Sequence, residues 1–317
     1  MMQLREIADA ALRVQLRQAY LDACELELSA LKPGNVGLHG DGHGMGVEHF
    51  RLSAEASADP LLMPGTSVGE RVHAAVTATR ERVGCNTNLG IVLLCAPLLQ
   101  AAALESHGEV LRRRLHLLLL QSTLRDCEWV YDAIRVASPG GLGSSPEHDV
   151  TRAADCTLLE AMMAGADRDR IAYQYATDFA DIFDYAVPYF LDMCNAWRRP
   201  RWAAVGVYLG LLRRFPDSHV VRKHGGPVAR EVSAKAARLE AELHQCGDPE
   251  LLAARLMDVD AKLKRAGINP GTTADLTVAT VLAARLESLP GQERQLARPL
   301  PDPSRAFGGS HATRCQV

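Results

Sequence analysis

Four short polar segments interrupt an otherwise apolar-patterned chain, and each carries residue types that can bind or react. The first is Glu27–Asp41, ELSALKPGNVGLHGD. Lys32-Pro33-Gly34 reads as a helix stop, with Lys favourable beside the last carbonyls. That does not account for Asn35, His39, Asp41 and His43, which follow within a few residues. Glu27 lies one turn before Leu31, on a face that could reach the same loop. The second segment is Gly84–Gly90, GCNTNLG. Asn86, Thr87 and Asn88 precede an apolar helix, where one asparagine can cap and the other is free to orient a ligand.

The third segment is Phe215–Lys223, FPDSHVVRK. In a helical turn, Arg222 falls on the same side as Ser218. Asp217 with Arg222 and Lys223 either forms an ordinary surface ion pair or holds a magnesium–phosphate group, acid on metal and bases on oxygens. The fourth is Asn269–Leu276, NPGTTADL. Thr272 and Asp275 have the spacing of a capping box with Asp in place of Glu. The same helix start, with Thr272 and Thr273 hydroxyls, suits a phosphate, in which case Asp275 becomes a metal ligand.

These segments must be positioned by helices. Ala and Leu are abundant and aromatics make up only 5% of the 317 residues, which favours helix over sheet. Apolar spacing predicts helices over Ile7–Leu31, Val47–Ala58, Ser67–Val83, Leu89–Ser106, Val110–Leu120, Thr123–Ala137, Thr151–Met163, Asp167–Ala186 and Val187–Trp197. Further helices are predicted over Trp202–Phe215, Gly226–Cys246, Pro249–Ala266 and Thr272–Leu289. Ser67 and Glu70 form a capping-box pattern. Leu89–Ser106 is apolar on nearly all sides, as a central helix should be. The expected fold is all-α, a compact multi-helix array around that helix, forming one domain over residues 1–288. Leu289–Val317 has four prolines and little apolar periodicity, and is expected to be a disordered tail.

Composition narrows the function classes. A net charge of −3 gives nucleic-acid binding no support. The small basic clusters Arg112–Arg114 and Arg198–Arg201 read as solvated helix faces. Eight cysteines without a C-x-x-C pair argue against a zinc site, and suit a reducing cytosol better than a disulfide scaffold. No basic region precedes an apolar one at Met1–Ala10, so a cytoplasmic protein is expected. There is no G-x-x-x-x-G-K-[ST], no G-x-S-x-G and no H-E-x-x-H, and Gly140-Gly141-Leu142-Gly143 follows no strand.

Lys32-Pro33-Gly34, Asn86-Thr87, Pro216-Asp217-Ser218 with Arg222-Lys223, and Asn269–Leu276, taken in this order, resemble the triphosphoribosyl-dephospho-CoA synthase family, as a divergent subgroup. The resemblance implies an all-helical transferase that moves the triphosphoribosyl group of ATP to the 2′-hydroxyl of 3′-dephospho-CoA and releases adenine. It implies Mg²⁺ with the nucleotide. Assigned to the residues above, the chemistry places Asp217 and Asp275 on Mg²⁺, and Lys32, Arg222 and Lys223 on phosphates. Asn86 and Asn88 would orient ribose or base, with Asn35, His39, Thr87, Ser218, Thr272 and Thr273 completing the pocket. Glu27 or Asp41 would act as base or transition-state stabiliser. Two alternatives stand beside this. One is a related enzyme with a pterin- or furan-type acceptor in one-carbon cofactor synthesis. The other is a non-catalytic helical binding protein, which expects these residues to be dispersed and not to share a cleft.

Overall fold

The computed structural model describes residues 6–290 except Ala8, Leu142 and Pro146. Among the described residues there are fourteen α-helices and no β-strand. They are α1 (Ala10–Ser29), α2 (Val47–Ala58), α3 (Val68–Val83), α4 (Leu89–Ala103), α5 (Leu111–Leu120), α6 (Leu124–Ala137) and α7 (Leu158–Gly165). Then follow α8 (Arg170–Ala176), α9 (Val187–Trp197), α10 (Pro200–Arg214), α11 (Ser218–His224), α12 (Gly226–Gln245), α13 (Ala253–Arg265) and α14 (Gly271–Leu286). The fold is all-α, as the composition and periodicity require. The tail expected beyond Leu289 lies, from residue 291 onward, outside the described residues. No described helix is long and apolar enough to cross a membrane.

The apolar helix α4 is buried along nearly its whole length, from Gly90 to Ala102. It shares the centre with α14, which is equally enclosed and packs on α1, α4, α9 and α10. Pro97 sits inside α4 and cannot donate to the carbonyl of Leu93, four residues earlier. Tyr175 of α8 fills that vacancy, its hydroxyl donating to Leu93 O at 2.6 Å. A buried carbonyl left unpaired costs about 1–3 kcal/mol, so this bond both permits the proline and fastens α8 to the core.

Helix starts largely follow the sequence. Ser67 and Glu70 form the expected box on α3, with Ser67 N donating to Glu70 Oε2 at 2.8 Å. Two expected helices are shorter than predicted. Thr151–Met163 is helical only from Leu158, where Thr157 and Glu160 make their own capping box. Asp167–Ala186 is not one helix: α8 ends at Ala176, and Asp178 and Phe179 turn left-handed (φ 51° and 58°) before a π-helical turn at Asp181–Ala186. The break is held from outside. Arg112 Nε donates to Asp178 O at 3.0 Å, and His116 Nδ1 lies 2.9 Å from Asp178 Oδ2.

Of the basic cluster on α5, only Arg113 is a solvated surface residue. Arg112 caps the end of α8, and Arg114 is buried and donates to Leu104 O at 2.9 Å. Arg199 and Arg201 do form surface ion pairs, with Asp248 and Glu250.

Candidate active site

One cleft of about 990 Å³ gathers residues from all four polar segments. Its walls include Glu27, Asn35, Asn86, Thr87, Arg222, Lys223, Thr272 and Asp275. An apolar part of the wall comes from Val130, Ile134, Leu158, Met162 and Ile171. The other expected site residues lie behind or outside it, each for a visible reason.

Lys32 is buried and turned under the end of α1. Its ammonium donates to Glu27 O at 2.9 Å and Val36 O at 3.0 Å, and lies 3.2 Å from Glu27 Oε1. It holds the loop and neutralises Glu27; it is not a phosphate ligand. Burial pushes the Lys32 pKa down and the Glu27 pKa up, each opposed by the other's charge. Gly34 is left-handed (φ 90°), and a Cβ there would meet Pro270 Cδ at 2.9 Å, so the first and fourth segments touch backbone to ring. Asn35 Nδ2 donates to Asn269 Oδ1 at 2.8 Å across the same seam. His39 and Asp41 are exposed and outside the cleft wall. Neither is placed as base or ligand. His43 enters the wall instead, with its Nε2 2.9 Å from Gly34 O.

In the second segment, Asn86 caps α4 by accepting from Leu89 N at 3.2 Å while facing the cleft. Thr87 pairs its hydroxyl with Ser53 at 2.5 Å. Asn88 is buried against α2, within 3.3 Å of Ser57 Oγ, and does not line the cleft.

Asp217 is the largest correction. Its Oδ1 accepts from His219 N at 2.9 Å and Val220 N at 3.0 Å, capping α11. Its Oδ2 accepts from Thr273 N and Thr273 Oγ1, both at 2.7 Å, capping α14. Both oxygens are spent on protein donors and the residue is outside the cleft wall, so it does not fit a metal ion. Burial is the main cause of its raised pKa, opposed by these bonds. Ser218 accepts from Arg170 N at 2.8 Å and fixes the start of α8; Thr273 is consumed by Asp217. Neither reaches the cleft.

Because Asp217 caps α14, that helix begins at Gly271 and the Thr272–Asp275 capping box does not form. Thr272 and Asp275 face the cleft instead. Among the described residues the Asp275 carboxylate has no hydrogen-bond or ion-pair partner. Its Oδ2 lies only 2.0 Å from where a Cβ of Gly90 would stand, so this glycine makes room for it at the start of α4. The Asp275 pKa is well above the usual carboxylate range. Burial is the main cause, followed by the negative charges of Glu27, Asp217 and Asp169, with Arg222 opposing.

Several wall residues were not among the expected site residues. Asp169 caps α8 and pairs with Arg222 at 2.6 Å. His219 follows Asp217 on α11 and faces the cleft; burial and the nearby Lys223 and Arg222 bring its pKa down to about 4, so it is neutral near pH 7. Arg80 and Arg168 add positive charge to the wall. The Lys223 side chain lies 3.4 Å from the Cβ position of Gly140, so the glycine-rich loop after α6 borders the same basic edge. The cleft thus sets basic side chains near partly buried carboxylates, beside an apolar surface. That suits a phosphorylated ligand with an apolar or aromatic portion.

The chain belongs to the ATP:dephospho-CoA triphosphoribosyl transferase family, whose model matches residues 13–294. It is a member of a transferase family by that match. Its fold is similar to the crystal structure of a protein from Archaeoglobus fulgidus assigned as a triphosphoribosyl-dephospho-CoA synthase. The TM-score is 0.58 at 24% identity, covering 74% of this chain and 98% of that one. No curated protein sequence matches the chain.

Proposed function

We propose that this cleft transfers the triphosphoribosyl group of ATP to the 2′-hydroxyl of 3′-dephospho-CoA. In that reaction a C–O bond forms at the anomeric carbon, the bond from that carbon to adenine breaks, and the hydroxyl proton passes finally to adenine. The observation that carries the reading is Asp275, a partly buried carboxylate with no protein partner among the described residues. It faces the same cleft as Arg222 and Lys223. A carboxylate so placed favours positive charge as the glycosidic bond weakens. Glu27 supports the same field, with Lys32 behind it.

Arg222 and Lys223 hold phosphate oxygens, Arg222 being aimed by Asp169. Asn86 and Thr272 offer neutral donors and acceptors for ribose or base. The neutral His219 ring can accept a hydroxyl proton or hydrogen-bond the departing base. Asp275 and Glu27 also fit Mg²⁺ as hard oxygen donors, whereas Asp217 does not; the ion would offset phosphate charge when bound.

A non-catalytic binding protein would leave the polar residues dispersed. Asn86, Arg222 and Asp275 converge on the cleft, while Lys32 and Asp217 brace the residues that do. The direct test incubates the protein with Mg-ATP and dephospho-CoA and follows adenine by chromatography. Adenine should appear only with both substrates. ADP or AMP in its place, or no adenine, overturns the assignment. Asp275→Asn should lower the rate by at least about 10²-fold, the scale of losing one electrostatic stabiliser.

A further inference from the structure

The loop between α6 and α7 carries a second cluster of reactive side chains that the transfer reaction does not use. Its centre is His148. That residue is left-handed (φ 49°), and its carbonyl accepts from Tyr131 Oη at 2.6 Å. The neighbouring Asp149 braces the turn by accepting from Ser145 N at 2.7 Å and Thr151 Oγ1 at 2.6 Å. His148 Nδ1 lies 2.6 Å from Asp155 Oδ1, and the Cys156 sulfur completes a trio whose donor atoms all lie within 4.8 Å of one another.

We infer that His148, Asp155 and Cys156 form a binding site for a zinc-type divalent ion. In a tetrahedral zinc site, bonds of about 2.0–2.3 Å put ligand atoms roughly 3.3–3.8 Å apart, so closing this trio takes movements of about 1 Å. Sulfur, imidazole nitrogen and carboxylate oxygen are a borderline-to-soft set that selects zinc or cobalt over magnesium. Glu160, in the first turn of α7, adds negative charge felt by both His148 and Cys156. On binding, the ion takes the place between His148 Nδ1 and Asp155 Oδ1, the neutral imidazole carries its one proton on Nε2, and the Cys156 thiol proton passes to solvent. Three protein ligands leave a fourth position for water. Cys127, buried on α6, stands within hydrogen-bonding reach of Cys156.

The ion would tie two ends of one loop together. His148 lines the cleft with Ser144, Ser145 and Val150, while Asp155 and Cys156 lead directly into α7. Metal loading therefore fixes part of the cleft wall. This site is distinct from the magnesium fit at Asp275 and does not depend on the transferase reading.

The test uses the full-length protein, stripped with chelator and titrated with Co²⁺. A single equivalent should give visible bands of a tetrahedral site and a near-ultraviolet thiolate charge-transfer band. Zn²⁺ should displace it and millimolar Mg²⁺ should not. Cys156→Ser should lose the charge-transfer band, whereas Cys194→Ser, on α9, should keep it. Asp155→Asn should weaken Co²⁺ binding at least about tenfold. No saturable Co²⁺ binding, or a spectrum unchanged in Cys156→Ser, overturns the site. Should Cys156→Ser fail to fold, the exposed Asp155 decides the matter, since unchanged affinity in Asp155→Asn also overturns it.

Discussion

Gly90→Ala tests the placement of Asp275 without altering any charged group. The added Cβ would stand 2.0 Å from Asp275 Oδ2 and 2.8 Å from Ile171 Cδ1. Ordinary contact begins at 3.4 Å, so the carboxylate must retreat by about 1.4 Å, or α4 and α14 must part. Overpacking of this kind costs about 1–3 kcal/mol. At about 2–4 °C per kcal/mol for a domain of this order of size, the melting temperature should fall by roughly 2–12 °C. The effect on rate should be larger in relative terms. A misplacement of about 1 Å at a reacting centre costs on the order of 10²-fold. The assay is adenine release measured well below the melting transition, with substrate affinity determined separately. Gly69→Ala is the comparison. Its Cβ would strike backbone atoms of Asp126 at 2.5 Å, away from the cleft, so it should lower the melting temperature without a selective loss of rate. A Gly90→Ala enzyme with wild-type kcat/KM would refute the reasoning, because Asp275 would then have no required position.

Asp217→Ala and Asp275→Asn should separate support from chemistry. The first removes caps from two helices and should lower stability by about 1–4 kcal/mol, at roughly 0.5–2 per cap, with activity lost in step with folding in urea titrations. Asp275→Asn should also change the pH dependence of stability. A carboxyl whose folded pKa is raised contributes stability that is full below its unfolded pKa and is lost as pH rises through the folded value, so the variant should flatten that decline of the urea midpoint with rising pH. Lys32→Met leaves Glu27 buried without its counter-charge and should destabilise the protein by about 3–5 kcal/mol by thermal melting. A melting temperature unchanged in Lys32→Met would show that Glu27 is already protonated.

The helices were legible because burial of one face imposes a period on the chain, and the Ser67–Glu70 cap because it is local. What escaped the sequence was set by partners far along it. Arg112 and His116 break the helix expected over Asp167–Ala186 by gripping Asp178 from α5. Asp217, 56 residues before Thr273, takes over the cap that Thr272 and Asp275 could have made locally. The site divides in the same way. Asn86, Arg222 and Asp275 belong to segments whose polarity stands out. His219 lies in one of those segments too but was not singled out within it, Asp169 sits in an ordinary helical stretch, and only the packing of α11 and α8 aims them at the cleft. Lys32 does sit beside the last carbonyls of α1, as its place after a helix suggests, but the loop that folds over it and pairs it with Glu27 removes it from the phosphate role.

The double cap by Asp217 has a mechanical consequence. Arg222 rides on α11 and Asp275 on α14, and one carboxylate grips the first turn of both. The helix starts that carry these two residues are therefore tied to one group and should move together. Their separation acts as a fixed gauge, so a ligand spanning both must match a length dictated by the protein.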